Sequence, residues 1–247
     1  MNELIIHPEL NLFPDIIDID EHEIIMKSPY GFTDYYFEMN RETLRDVDLY
    51  RNFILGAERT FRASREYKLY KSYCMEVLGI KQCQMMGNIT EADAELELHH
   101  NVLGLFDICL LITEHVINTV GKITSFDLVE ILIQEHYNNN IGLTFLSKTA
   151  HQVYTNDPDG YIPPEQTFGR WWLLLSKYKY GITFEIAKKV IEYLKKYQDR
   201  MPTTIDLPHQ EEILSFAYLN EYGMDPTQCG YLPYQPEMIS GGEFLGV

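Results

Sequence analysis

The sequence predicts an α+β fold that is predominantly helical and contains one small ββα element. Apolar residues recur at helical spacing through most of residues 41–200. Two short segments depart from that period: residues 92–98 alternate apolar and acidic side chains, and residues 141–147 form a brief apolar run. A period of two indicates a half-buried strand. We therefore expect two strands separated by a helical insertion, with a short helix after the second strand.

Capping residues and glycines set the expected helix boundaries. Asn40 can cap a first helix that runs, as one piece or as two in series, to Gly79. Ser125 can cap the second helix of the insertion, and Ser147 or Thr149 can begin the short helix after the second strand. The other helices expected from these signals span residues 103–119, 125–138, 168–178, 183–197 and 211–222.

Prolines and glycines divide the chain into three parts. Residues 1–40, with a β-prone piece at Glu23–Met26, are expected to form an N-terminal arm. Residues 41–200 form the helical core domain and include the ββα element at residues 94–156. Residues 201–247 hold a C-terminal helix and an extended tail that is rich in proline, glycine and aromatic residues. Disordered segments are usually poor in aromatics, so we expect the tail to anchor on the body or on another subunit.

The composition is that of an acidic globular protein. Its 247 residues carry 20 basic and 37 acidic side chains, for a formal net charge of −17. Such a surface opposes nonspecific binding of nucleic acid, which depends on Lys and Arg, although a local basic track would suffice for a nuclease. Basic residues do cluster within 59–71 and 170–196, and solvated helix faces are the simpler interpretation.

Neither a zinc knuckle nor a membrane span is predicted. The four cysteines form no C-x-x-C pair, and Cys74 and Cys109 fall inside apolar helical patterns that indicate the core. The first twenty residues lack the basic start and unbroken apolar run of a signal peptide. The longest apolar stretch, residues 102–117, contains Asp107 and Glu114, so we do not expect it to cross a membrane.

The residues with chemical potential form a two-part histidine pattern. His99 and His100 end the first predicted strand, and His151 lies on the short helix after the second. Neighbouring strand residues point to opposite faces, so one histidine can hold a metal ion while the other activates water. Two alternatives stay open: the pair can simply be hydrogen-bonded, and His151 can bond a carbonyl in the core. A di-iron bundle would need repeated Glu-x-x-His on helices, whereas Glu97-x-x-His100 occurs once, on a strand.

The segments LELHHNVLGLFDI and IGLTFLSKTAHQVYTN resemble the HNH, or His-Me finger, endonucleases of large tailed phages. The resemblance covers about residues 94–156 and implies a β-hairpin and a helix around one divalent metal ion (Mg²⁺, Mn²⁺, Ni²⁺ or Zn²⁺). It implies that His99 and His151 are metal ligands and that His100 is the general base. Phosphodiester hydrolysis needs both a base and charge stabilisation by a metal.

The sequence departs from that family at several positions. The asparagine that orients the base is replaced by Gly142, with Asn140 just upstream as a supporting residue. Where the family often has a further ligand after the helical histidine, this sequence has Thr155. Asn156, next to it, is the second supporting candidate. Val102 replaces the proline that usually follows two residues after the base. A long helical insertion also interrupts the hairpin.

Two functions from different classes follow. The first is a metal-dependent HNH-type endonuclease that hydrolyses DNA. The alternative is a non-catalytic phage protein that reuses this fold for assembly or for binding a protein partner, through its C-terminal tail. The ordered histidines favour the first, whereas the net charge, the 18 tyrosines, the tail and the missing asparagine favour the second. Either way we expect a location in the cytoplasm of a bacterial host or in the virion, without a membrane.

Overall fold

A computed structural model describes residues 38–156, 162–201, 207 and 209–223. This part of the chain contains two small antiparallel sheets among predominant helices, so the predicted α+β class is confirmed. The strands are β1 (Glu38–Asn40), β2 (Leu96–His100), β3 (Lys122–Thr124) and β4 (Leu143–Ser147). The helices are α1 (Val47–Ala63), α2 (Arg65–Glu76), α3 (Leu105–Thr119), α4 (Ser125–Tyr137), α5 (Lys148–Asn156), α6 (Trp171–Lys177), α7 (Phe184–Tyr197) and α8 (Gln210–Tyr222).

The first helical region is divided in two, and it begins later than Asn40. The side-chain oxygen of Asn40 accepts the backbone N–H groups of Glu42 and Thr43, where a short 3₁₀ turn begins at Thr43–Arg45. Asp46 instead caps α1 through its carboxylate. At Ser64 the backbone is extended (φ −62°, ψ 152°), which ends α1, and its hydroxyl accepts the backbone N–H of Tyr67 at 3.1 Å to begin α2. Of the two arrangements left open by the sequence, two helices in series is the one found.

The last residues of the predicted arm belong to the body. Strand β1 pairs antiparallel with β3, and Met39, the central residue of β1, is fully buried. Thr124, rather than Ser125, caps α4, in a capping box with Asp127. The β-prone piece at Glu23–Met26, with the rest of the arm up to residue 37, and the tail beyond Gly223 lie outside the described residues.

The two predicted strands form the expected hairpin-like pair. Strand β2 pairs antiparallel with β4 in the register Leu96↔Ser147 to His100↔Leu143. Leu96, Leu98 and His100 are buried on one face of β2, whereas the intervening residues are half-buried on the other. Helix α5 follows β4 directly and contacts both strands. Every residue of β4 is buried, because α5 covers one face of this ββα element and the core the other.

Helices complete the core. Helix α1 packs on α3 and α4, and α8 packs on α7. The thiols of Cys74, Cys83 and Cys109 are free and buried, which confirms the core position predicted for Cys74 and Cys109. In the described part of the chain, no helix is both long and apolar enough to cross a membrane.

Candidate site at the ββα element

The outer face of the ββα element brings His99 and His151 together. His99 lies on the half-buried face of β2, and α5 carries His151 across it. The centroids of the two imidazole rings are 4.8 Å apart, with an interplanar angle of 72°. The strand pairing and the facing of these two histidines, both expected from the sequence, are therefore confirmed.

Glu97 is a third member of this face. Its carboxylate oxygen Oε2 contacts Nδ1 of His151, and the two side chains are about equally exposed, at 30% and 31%. A carboxylate only accepts hydrogen bonds, so Nδ1 carries the proton and Nε2 of a neutral His151 keeps its lone pair. Glu97 was not among the residues expected at this site. The period of two contained the signal, because Glu97 and His99 are two residues apart on one strand.

The environment of His99 keeps its imidazole neutral at physiological pH. Burial first, and then the positive charges of His151 and Arg62, lower the pKa of His99 to about 4. Thr144 pairs with His99 across the sheet. Its hydroxyl is fully buried and finds no hydrogen-bond partner among the described residues. The face therefore contains a neutral imidazole and a hydroxyl with unused hydrogen-bonding capacity.

His100 points the opposite way, into the core. Its Nε2 lies 3.1 Å from Nε2 of His136 on α4, whose Nδ1 lies 2.6 Å from the carbonyl oxygen of Leu132. Since a carbonyl only accepts, Nδ1 of His136 carries a proton, and its Nε2 accepts the N–H of His100. Burial is the main cause that lowers the pKa of His136 to about 4 and the pKa of His100 well below its usual value.

This placement bears on the general-base role expected of His100. The side chain is only 6% exposed, and Phe61 and Tyr70 surround the ring of its partner His136 at centroid distances of 4.6 and 5.4 Å. A general base must reach the water that it activates. The role of His100 as base stays a prediction. Its buried hydrogen bond is a structural contact, but it is not made with the neighbouring histidine of the pattern. The partner is His136, which lies outside the predicted histidine pattern.

Asn140, expected to support the histidines, supports a different cluster. Its amide nitrogen donates to Glu135 at 2.7 Å. The Glu135 carboxylate is fully buried and also accepts from the hydroxyl of Tyr178 at 2.7 Å and from Lys177. This cluster joins α4 to α6, so the described contacts of Asn140 include no member of the histidine pattern. The side chain of Asn156, the other supporting candidate, lies outside the described residues.

Two departures from the HNH pattern have a structural cause. A Cβ atom added to Gly142 would lie 2.7 Å from the carbonyl oxygen of Asn101 and 3.3 Å from Cβ of Trp171. The position therefore has no room for an asparagine side chain. At Val102 φ is +71°, in the left-handed region, whereas proline fixes φ near −65°. A proline cannot adopt this backbone conformation.

Among the described residues, no group of three or more His, Cys, Asp or Glu side chains is arranged so that it could hold a metal ion. Imidazole and carboxylate are suitable ligand types for a transition metal, but here Glu97 is bonded to His151. The metal-ligand roles of His99 and His151 stay predictions.

Comparison with known proteins identifies the family. A family model described as "Bacteriophage G278-like virion protein" matches residues 8–220 of the 247. No curated protein and no solved structure matches the chain. The phage origin implied by the sequence resemblance is confirmed, whereas membership of an HNH endonuclease family is not shown. The chain belongs to the bacteriophage G278-like virion protein family.

Proposed function

We propose that this chain is a non-catalytic structural component of the phage particle and that its ββα element is a folding unit of that component. The observation that carries the proposal is the family match, which runs through the whole ββα element and the helices around it. A structural virion protein acts by contacting other proteins, and that role requires no hydrolytic chemistry at the histidines.

The contacts of the histidine pattern support this proposal. His100, the expected base, donates its Nε2 proton to a buried hydrogen bond with His136. Gly142 occupies the place of the orienting asparagine because neighbouring backbone approaches it closely. Each of these residues contributes to folding in a way that would be needed without any catalysis.

The charge distribution also supports a structural role. Both basic stretches noted in the sequence are partly neutralised by the protein's own carboxylates. Ion pairs join Arg62 to Glu58, Lys177 to Glu135 and Lys189 to Asp107. Cations paired in this way attract a phosphate backbone less strongly, and the net charge of −17 opposes it further.

The test is phage that carries the double substitution H99A/H151A. We expect mass spectrometry of purified particles to find the chain at the wild-type copy number, with an unchanged infectious titre. V153A, at an exposed position of the same helix (60% exposed), is the matched control. Normal incorporation with a titre reduced tenfold or more would show that the histidines perform chemistry, and the proposal would be wrong.

A second candidate is metal-dependent cleavage of DNA, favoured by the approach of His99 to His151 beside Glu97. The test is nicking of supercoiled DNA in Mg²⁺, Mn²⁺, Ni²⁺ and Zn²⁺, with calorimetric titration of each ion. Nicking by the wild-type chain that H99A abolishes would favour this candidate. Absence of both nicking and metal binding would eliminate it.

A further inference from the structure

Asn118, near the end of α3, joins the two ends of the described chain. Its amide nitrogen donates to the carbonyl oxygen of Tyr180 at 2.9 Å and to the side-chain oxygen of Asn220 on α8. Its own carbonyl accepts from Arg41, directly after β1, at 3.4 Å. The described residues begin at Glu38, and α8 ends at Gly223. The chain therefore enters and leaves its described part near this place.

Exposed apolar residues lie close to this junction along the chain. Val120 is 73% exposed, Tyr222 is 56% exposed and Tyr180 is 39% exposed. The backbone carbonyl of Tyr180 is bonded to Asn118, Val120 lies two residues after Asn118, and Tyr222 lies two residues after Asn220. We call Asn118, Val120, Tyr180 and Tyr222 the Asn118 end. Single exposed apolar residues are ordinary, but a group that includes two tyrosines is typical of a protein interface.

The segment 224–247 has the composition to cover such a surface. It starts directly after Gly223, whose left-handed backbone (φ 64°) ends α8. It contains no Lys or Arg and many apolar or aromatic side chains, namely Tyr231, Leu232, Tyr234, Met238, Ile239, Phe244 and Leu245. Prolines at 226, 233 and 236 oppose a helix or a central strand, so burial on another surface is the way for these side chains to leave water.

We propose that the segment 224–247 of a neighbouring copy covers the Asn118 end and thereby links copies of the chain in the particle. The inference rests on the proposed assembly function. Fully extended, a segment of this length reaches roughly 80 Å, several times the radius of gyration of about 18 Å expected for a folded chain of this size. This reach allows the segment to contact a copy packed beside its own chain in the particle.

A disulfide can report this contact directly in the full-length protein. The segment contains Cys229, whereas Cys74, Cys83 and Cys109 are buried and do not compete. We expect the variant V120C, after mild oxidation, to give a ladder of covalent multimers on a non-reducing gel. V153C is the matched control, because Val153 is an equally simple exposed valine on a different helix, α5, and it should give at least tenfold less product.

The other outcomes would overturn the proposal. Equal oxidation of V120C and V153C would show that the segment does not reach the Asn118 end. Covalent dimers that persist in V120C/C229S would show a contact between two Asn118 ends instead. A disulfide within one chain would place the segment on its own body. A second measurement avoids oxidation: V120D in the full chain should weaken self-association at least tenfold in sedimentation, without changing its thermal melt. Failure here leaves the particle-incorporation test of the proposed function unaffected.

Discussion

The imidazole rings of His100 and His136 meet almost edge to face in the core, with their Nε2 atoms 3.1 Å apart. The contact joins strand β2 to helix α4 across a sequence separation of 36 residues. Both rings are neutral in the folded protein, because burial lowers both pKa values below the ordinary range. This pair connects the ββα element to the helical insertion, and it makes folding sensitive to acid.

The first prediction is that acid destabilises the protein. The unfolded chain takes up protons at histidine near pH 6.5, whereas His136 resists protonation until about pH 4. The free energy of unfolding is therefore highest above pH 6.5 and falls as the pH decreases toward 4. One such histidine lowers the free energy of unfolding by about 2 kcal/mol as the pH falls from 6.5 to 5. Urea unfolding at a series of pH values measures this slope.

Two variants make that measurement specific. H136Q should reduce the pH dependence but not abolish it, because burial also lowers the pKa values of His99 and His100. The substitution should cost about 1–3 kcal/mol at neutral pH because the buried hydrogen bond is disturbed. H209Q is the control, since His209 is exposed, and its profile should follow the wild type. A pH slope that H136Q leaves intact would assign the acid sensitivity to other groups.

The second prediction concerns the place of the missing asparagine. G142N restores the residue usual in HNH endonucleases, but its Cβ would lie 2.7 Å from the backbone oxygen of Asn101. Because that contact is with backbone, we expect a loss of about 1–3 kcal/mol in unfolding free energy and no nuclease activity. G87A is the matched control, since a Cβ at Gly87 meets nothing within 4 Å. A stable, DNA-cleaving G142N would revive the endonuclease hypothesis.

The third prediction concerns the buried carboxylate of Glu135. Y178F removes a hydroxyl that donates to Glu135 at 2.7 Å and leaves part of a buried charge without its hydrogen bond. We expect a loss of about 1–3 kcal/mol in chemical denaturation. Y73F, at an exposed tyrosine (40%), should change the stability by less than about 0.5 kcal/mol. Equal effects of the two substitutions would mean that the hydroxyl of Tyr178 contributes nothing specific.

Local patterns in the sequence were enough to predict much of the fold. The helices have several turns of apolar periodicity, and β2 and β4 have alternation or a short apolar run between clear boundaries. Strands β1 and β3 have three residues each, which is too short for either pattern. Ser64 was not foreseen as a break because it lies within a continuous helical period, and only its cap bond reveals it.

The site was predictable only in part, and the reason is tertiary. The approach of His99 to His151 follows from strand pairing and chain order. The position of Glu97 beside His99 could have been predicted from the apolar–acidic alternation of residues 92–98. The hydrogen bond between His100 and His136 could not have been predicted, because no local pattern specifies which residue of a distant helix faces a strand. The same holds for Asn140, which turns to Glu135 rather than to the histidines.

The last prediction separates the outer face of β2 from its core face. Glu97 and Leu98 are neighbours that point to opposite sides. E97Q weakens a half-exposed pair with His151, and pairs of that kind contribute about 0–1 kcal/mol. L98A removes a side chain that is 5% exposed and should cost about 2–5 kcal/mol through loss of burial and the cavity that remains. Thermal and urea unfolding of both variants measure the contrast. If E97Q proved as destabilising as L98A, the Glu97–His151 pair would be an element of the fold. The small effect we expect would leave the pair free to serve a ligand or a partner protein.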